Sequence, residues 1–411
     1  MRILLIVQPE RFDFYNYLSA IPGAEWHLLW YENKGQMMIE PKSLPIEFHK
    51  IHYWTDFKTP DLLLQEIRPE RIIFFEIIDL RQIALNVAAN AAGMCTIYLE
   101  HGAAGDKETA LSRANEVTFK KHKLPYLLDR LRKSFGDIIR SKLFYYSVTK
   151  GFSSKESYRK YFLLPFRMMT GSPNRILNDH LFMERVPKKS IVFNRVNFEE
   201  YALYTGIKSD QAILTGVPFF DRYFRENQVI GDYIIYIDHP YLEQGILGWT
   251  KEHHEKIARL LCDFARDRKI KLYIKLHPFS DLKTWNSYSL DQEYVSILQA
   301  GDFTELYLEA MVILGFSSSL INGFLCAKKN IVLLGWHPQP HIFGSDFSKT
   351  GLCHVSFSPA DLTEKFDSWE AHNLTLENEK AYREFLLMYN EPFDGKATER
   401  VINTILENEV C

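Results

Sequence analysis

Short apolar runs of strand length alternate with stretches of helical periodicity along the whole sequence. Parallel strands need a crossover between them and helices supply it, so the alternation predicts parallel α/β architecture. In the first half, Ile3 to Val7, Trp26 to Trp30, Ile72 to Ile77, Thr96 to Leu99, Ile191 to Phe193 and Ala212 to Thr215 read as strands. Between them, LRQIALNVAANAAG and NFEEYALYTG read as helices stopped by Gly93 and Gly206. Glycine is what a left-handed helix end favours. A second series follows: DYIIYIDHP, the helix WTKEHHEKIARLLCDFARDRK, KLYIKLHP, YVSILQAG, the helix FTELYLEA, MVILGFSSS, the helix LINGFLCAKK, then IVLLGW.

A chain of 411 residues is two to three times the usual domain length. The reading is therefore two doubly wound domains facing each other across a cleft, with a hinge near Arg225 to Gly231. Residues 1–228 form the first, 229–385 the second, and 386–411 a closing C-terminal helix. Such sheets bind ligands beyond the carboxyl ends of their strands, so informative residues are sought just after strands.

Composition excludes several classes. With 46% hydrophobic and 25% charged residues the chain is globular rather than disordered. Five cysteines, scattered and never spaced CxxC, argue against a disulfide framework or a cysteine zinc site and fit a reducing cytoplasm. The opening MRILLIVQPERF reads as a first strand rather than a signal peptide, and no apolar run approaches the roughly 18 residues of a membrane span.

Charge is unevenly spread. The net charge is −3, yet residues 119–160 hold twelve Lys or Arg against three Asp or Glu, a local balance of +9. Within this segment Leu124, Leu127, Leu128 and Leu131 recur at helical spacing among cations. A helix lying on anionic lipid has this pattern, and so does an amphipathic helix with a solvated basic face. No nucleic-acid motif accompanies the charge, so nucleic acid is not expected as a partner.

Three post-strand motifs could carry chemistry. His277 and Pro278 end KLYIKLHP, aiming an imidazole out of a strand that proline stops. Ser317, Ser318 and Ser319 follow MVILGF and precede a helix, a setting suited to a phosphate, although one of them could simply be its N-cap. In YLEHGAAGDKE, the groups Glu100, His101, Asp106 and Lys107 cluster in a glycine-containing loop able to take a proton from a hydroxyl. Spacing leaves Glu100, His101 and Asp106 all open as the base. Two further His-Pro pairs, Asp238-His239-Pro240 and Trp336-His337-Pro338, also follow strands, and at least one reads as turn chemistry only. Asp-x-Asp, GxGxxG, GxxxxGK[ST] and GxSxG are absent, which removes metal-diphosphate carboxylate pairs and the fingerprints of dinucleotide enzymes, P-loop NTPases and hydrolases.

The ordered set LEHG, AILTGVPFFDRYF, YIKLHP and DFTELYLEAMVILGFSSSL, spanning about residues 70 to 335, resembles GT-B glycosyltransferases. The likeness is to bacterial sialyltransferases and polysialyltransferases, capsule Kdo transferases and CDP-glycerol glycerophosphotransferases. It implies a GT-B fold, a CMP- or CDP-linked donor, His277 and Ser317 with Ser318 on the donor phosphate, and His101 as base with Glu100 orienting it and Lys107 toward phosphate. Asn322 stands where related enzymes place a ribose-holding acid, and Glu305 lies upstream as a substitute. The resemblance implies an inverting transferase of bacterial capsule or lipopolysaccharide assembly with a glycan or glycolipid acceptor. It implies no metal or other cofactor, and a cytoplasmic place, peripheral on the inner face of the membrane. The same fold hosts nucleotide-sugar 2-epimerases and UDP-sugar transferases, and a non-catalytic capsule-complex partner is a further alternative.

Overall fold

A computed structural model describes residues 1–37, 43–102, 136–170, 182–226, 229–245, 247–286, 293–299, 301–316, 318–338, 347–370 and 378–407. The chain divides into two compact units, Met1–Phe219 with Lys396–Cys411, and Phe220–Gly395.

In the first unit the strands are β1 (Arg2–Ile6), β2 (Glu25–Leu29), β3 (Phe48–His52), β4 (Arg71–Phe74), β5 (Cys95–Leu99), β6 (Lys189–Val192) and β7 (Ala212–Leu214). They form one parallel sheet in the order β3-β2-β1-β4-β5-β6-β7. The helices of this unit before the second sheet are α1 (Pro60–Ile67), α2 (Leu80–Ala91), α3 (136–146), α4 (Lys155–Thr170) and α5 (Arg195–Thr205). The doubly wound order reverses between β1 and β4, the switch point at which such sheets take ligands.

Local chemistry explains the helix bounds. Asp79 caps α2 by accepting from the backbone N–H groups of Arg81 and Gln82, while the Gln82 side chain accepts from the Asp79 N–H. That reciprocal pair satisfies donors the first turn cannot pair internally. Gly93 (φ 76°) ends the turn after α2 and Gly206 (φ 72°) caps α5, as the spacing predicts. Ile72 and Phe74 are fully buried in one cluster with Ile83, Leu85 and Val87 of α2, and Ile73 and Ile97, on the alternate face, are fully buried as well. Each such side chain contributes about 1.5–3 kcal/mol on burial.

The second unit repeats the plan. Strands β8 (Tyr233–Ile237), β9 (Lys271–Lys275), β10 (Val295–Leu298), β11 (Val312–Gly315), β12 (Ile331–Leu334) and β13 (His354–Ser356) pair in parallel in the order β10-β9-β8-β11-β12-β13. Its helices are α6 (Tyr241–Gln244), α7 (Lys251–Asp267), α8 (Leu282–Asn286), α9 (Thr304–Glu309), α10 (Ser319–Cys326), α11 (Pro359–Glu370) and α12 (Glu379–Tyr389), while α13 (Ala397–Leu406) returns to the first unit. Thr250 caps α7 by accepting from the His253 N–H, and Ile257, Ala258, Leu261, Cys262 and Ala265 bury the helix's apolar face against the sheet.

The sequence pattern passes over β3 and β13. Each lies at a sheet edge and carries polar residues, FHKIH and HVS, because an edge strand is half open to water. The expectation drawn from cysteine spacing, against a disulfide framework, is corrected at Cys95, which is disulfide-bonded, whereas Cys262, Cys326 and Cys353 form no disulfide. Spacing along a chain says nothing about which thiols the fold brings together. Among the described residues no helix is long and apolar enough to cross a membrane.

Candidate functional site

In the first unit the candidate groups follow β4 and β5. Glu100 stays in the ladder through its N–H, which donates to the Ile191 carbonyl of β6, and this drives its side chain inward at 7% exposure. Tyr98 Oη donates to Glu100 Oε2 at 2.9 Å, and the His101 and Gly102 N–H groups donate to Oε1 at 2.9 and 3.3 Å. Burial still dominates those three hydrogen bonds, so the carboxyl is pushed up to about 7.

His101, half-buried, stands between two carboxylates. Its Nδ1 is 3.7 Å from Glu100 Oε1 and its Nε2 is 3.6 Å from Glu76 Oε1. Phe14 and Phe75 meet the ring edge to face, with centroids 5.5 and 6.1 Å away. A proton arriving on this imidazole would be stabilised from both sides, which is what a general base requires. Gly102 is held by Asn197, whose Nδ2 donates to its carbonyl at 3.0 Å. Asp106 and Lys107 lie outside the described residues.

In the second unit His277 follows β9. Its Nδ1 accepts from the Phe279 backbone N–H at 3.2 Å, which assigns the ring proton of the neutral form to Nε2. The side chain therefore presents an N–H donor held by its own turn, which also includes the Ser280 N–H donating to the His277 carbonyl at 2.9 Å. Pro278 is exposed in that turn.

All three His-Pro histidines gather at this end of the sheet. His239 stacks on His277 with centroids 5.9 Å apart and on Tyr241 at 4.2 Å, and Phe316 at the end of β11 meets His337 at 4.9 Å. Asp238, beneath His239 at 4% exposure, has its carboxyl pushed up to about 7 by burial, against hydrogen bonding from Ser280.

Ser318 is the N-cap of α10, its Oγ accepting from the Leu320 N–H at 3.3 Å, so the capping role weighed for the serine run belongs to it. Ser319 opens the helix; its side chain, and Ser317, lie outside the described residues. Asn322 is fully buried and accepts from the Cys326 thiol, so it faces the helix packing rather than a ligand. Glu305 sits exposed in the first turn of α9 and pairs with Arg225. The reading of the sequence did not name Glu76, and it named Asp238, His239 and His337 only within further His-Pro pairs, at least one of them as turn chemistry. Their signal was available: each stands just past a strand end.

No family model and no curated protein sequence matches this chain. Among solved structures it is similar to the glycotransferase of kitacinnamycin (11% identity, TM-score 0.51, covering 99% of each chain). It is also similar to a putative UDP-N-acetylglucosamine 2-epimerase from Listeria monocytogenes (10% identity, TM-score 0.52, 98% of this chain and 95% of that). A third similar structure is the wall teichoic acid polymerase TagF (12% identity, TM-score 0.50, 98% of this chain and 88% of that). The likeness is one of fold: the chain is an α/β protein of the GT-B type with two Rossmann-like parallel sheets.

Proposed function

We propose that the protein is an inverting glycosyltransferase that uses a nucleotide-activated donor and requires no metal for the transfer step. The favoured donor is a CMP-linked sialic or ulosonic acid or a CDP-linked polyol, and the product belongs to a bacterial surface polysaccharide, capsule or lipopolysaccharide. One observation carries this reading: the turn after β9 holds His277 through its Nδ1, which places the ring proton of the neutral form on Nε2, among two other post-strand histidines at the carboxyl end of a parallel sheet. Such a donor suits phosphate oxygen on a departing nucleotide.

His101 takes the proton of the acceptor hydroxyl, with Glu76 and Glu100 stabilising the resulting imidazolium. The hydroxyl oxygen then bonds to the donor's anomeric carbon, or to phosphorus for a polyol-phosphate donor. The bond to the nucleotide oxygen breaks, its electron pair leaves on phosphate, and His277 meets that charge. His101→Ala is expected to lower turnover by about two decades, with donor binding kept. Product analysis with and without an acceptor checks the class: product formed only with acceptor is expected, and conversion of a nucleotide sugar alone would replace this reading with an epimerase, a reading to which the similarity to the Listeria protein lends weight. Wild-type turnover in His101→Ala would remove His101 as base.

Peripheral contact with an anionic membrane is part of the proposal. Of the basic segment, residues 119–135 lie outside the described residues, but α3 and α4 carry its continuation. Tyr158, Phe162 and Phe166 are exposed at successive turns of α4, and Ile139 and Leu143 are exposed on α3. Arg140, Lys142, Lys155, Arg159 and Lys160 lie among them. Apolar wedges among cations suit a lipid surface. Vesicles containing anionic lipid are expected to bind the protein, and binding should fall steeply between about 0.05 and 0.5 M salt. Equal binding to neutral vesicles would reject the electrostatic part.

A further inference from the structure

At the opposite end of the first sheet, the amino ends of β2 and β3 bring together histidines and a carboxylate that the transfer reaction does not use. Register pairs Trp26 with Phe48 and then His27 with Lys50, so His49 is an extra residue in β3. Strict alternation would send His49 to the face opposite Lys50, but this irregularity re-aims the strand. The His49 ring lies 5.3 Å from that of His27, and ligand atoms of Glu25, His27 and His49 all fall within 4.8 Å of one another.

A further shell lies behind them. His27 Nε2 donates to Glu25 Oε1 at 2.9 Å, so its Nδ1 is an acceptor and receives the N–H of His52 Nε2, also at 2.9 Å. His27 and His52 are 5% and 2% exposed, and the buried Nδ1 of His52 has no hydrogen-bond partner among the described residues. Metal ligation takes neutral imidazole and ionised carboxylate.

We propose that Glu25, His27 and His49 bind one divalent transition-metal ion of the zinc type, with His52 as the partner that orients His27. On binding, the His27 ring proton moves from Nε2 to Nδ1 and donates to His52 Nε2, and the His52 proton moves to its orphaned Nδ1. Each ring keeps one proton, and the His27 Nε2 lone pair passes to the ion. Hydrogen bonding of a ligating imidazole through its second nitrogen is the usual support of such sites. Two nitrogens and one carboxylate oxygen select zinc, cobalt, nickel or copper over calcium or magnesium. Metal bonds of about 2.0–2.1 Å require the ligand atoms to draw closer, and the exposed His49 is the one able to swing in. Arg2, bonded through Nε to Glu25 Oε1 and through Nη1 to the Ile67 carbonyl, is the cation facing the ion, while Lys50 pairs with Glu66. The ion would staple the edge strand β3 to β2, a structural role separate from, and not dependent on, the proposed transferase activity.

The test uses the full chain stripped with chelator. Zn2+ is titrated calorimetrically and Co2+ by visible absorption, on wild type, His49→Ala and Glu25→Gln. Wild type is expected to show a site that weakens by about ten-fold or more in each variant, with Zn2+ raising the melting temperature of wild type but not of His49→Ala. His49 is exposed, so its variant should keep the fold, as circular dichroism can verify. No binding in wild type, or equal affinity and stoichiometry in wild type and His49→Ala, would overturn the proposal.

Discussion

His277→Ala is expected to weaken cytidine-nucleotide binding by about ten- to a hundred-fold and to cut turnover by about two decades or more, while leaving the melting temperature nearly unchanged. The binding loss follows from the tautomer: Phe279 N–H on Nδ1 places the ring proton on Nε2, and alanine removes that donor. A charge-assisted hydrogen bond to phosphate is worth roughly 1.5–3 kcal/mol, and more where charge develops in the transition state. Stability should hardly respond because His277 is only half-buried beside exposed Pro278 and Phe279. Calorimetry with CMP, CDP and UDP, in EDTA, reads the first effect directly. Unchanged nucleotide affinity in His277→Ala would end its assignment to the phosphate, and preference for UDP would move the donor class to UDP-sugars.

Glu100→Gln is expected to act in opposite directions on stability and on turnover. Burial holds the Glu100 carboxyl near pH 7 in the folded protein, above its ordinary value of 4.5. Between those values the folded protein keeps a proton that the unfolded chain has released. Stability is therefore greatest near or below pH 4.5 as far as this group is concerned, and it declines as pH rises toward about 7. The difference amounts to about 3 kcal/mol by pH 8. Asp238 adds a penalty of the same sign in the second unit.

Glutamine resembles the protonated acid. Its carbonyl can accept from the His101 and Gly102 N–H groups while its amide donates to Tyr98 Oη, where the hydroxyl turns to accept. The variant should melt higher than wild type at pH 8, and its melting temperature should vary less between pH 5 and 8. Turnover should fall by about one to two decades, since the imidazolium of His101 loses one of its two carboxylates. An unchanged pH slope would refute the raised acidity constant. Wild-type turnover would instead remove Glu100 from the proposed reaction.

Much of the site was legible because its markers are local. A strand ending in His-Pro, or in Glu-His-Gly, announces a side chain delivered past a sheet edge, and His277, Glu100 and His101 all stand there. The serine run was legible as a helix start, yet only the hydrogen bond to Leu320 N–H shows that Ser318 is occupied as the cap. Glu305, named by analogy, is exposed and pairs with Arg225, a partner that no sequence window around either residue contains.

By itself the sequence determined the central strands, their βα alternation and the identity of the post-strand groups, since periods of two and 3.6 residues and cap chemistry act over a few neighbours. Only the tertiary structure decided which distant groups meet. Strand order sets Glu76, just past β4, beside His101, just past β5, and it sinks Asp238 at the β8 and β11 switch point until its carboxyl holds a proton near neutrality. An extra residue in an edge strand that the apolar pattern passes over turns His49 toward His27. Pairing between strands joined by long connections depends on burying whole sheet faces at once, and no short window of sequence contains that free energy.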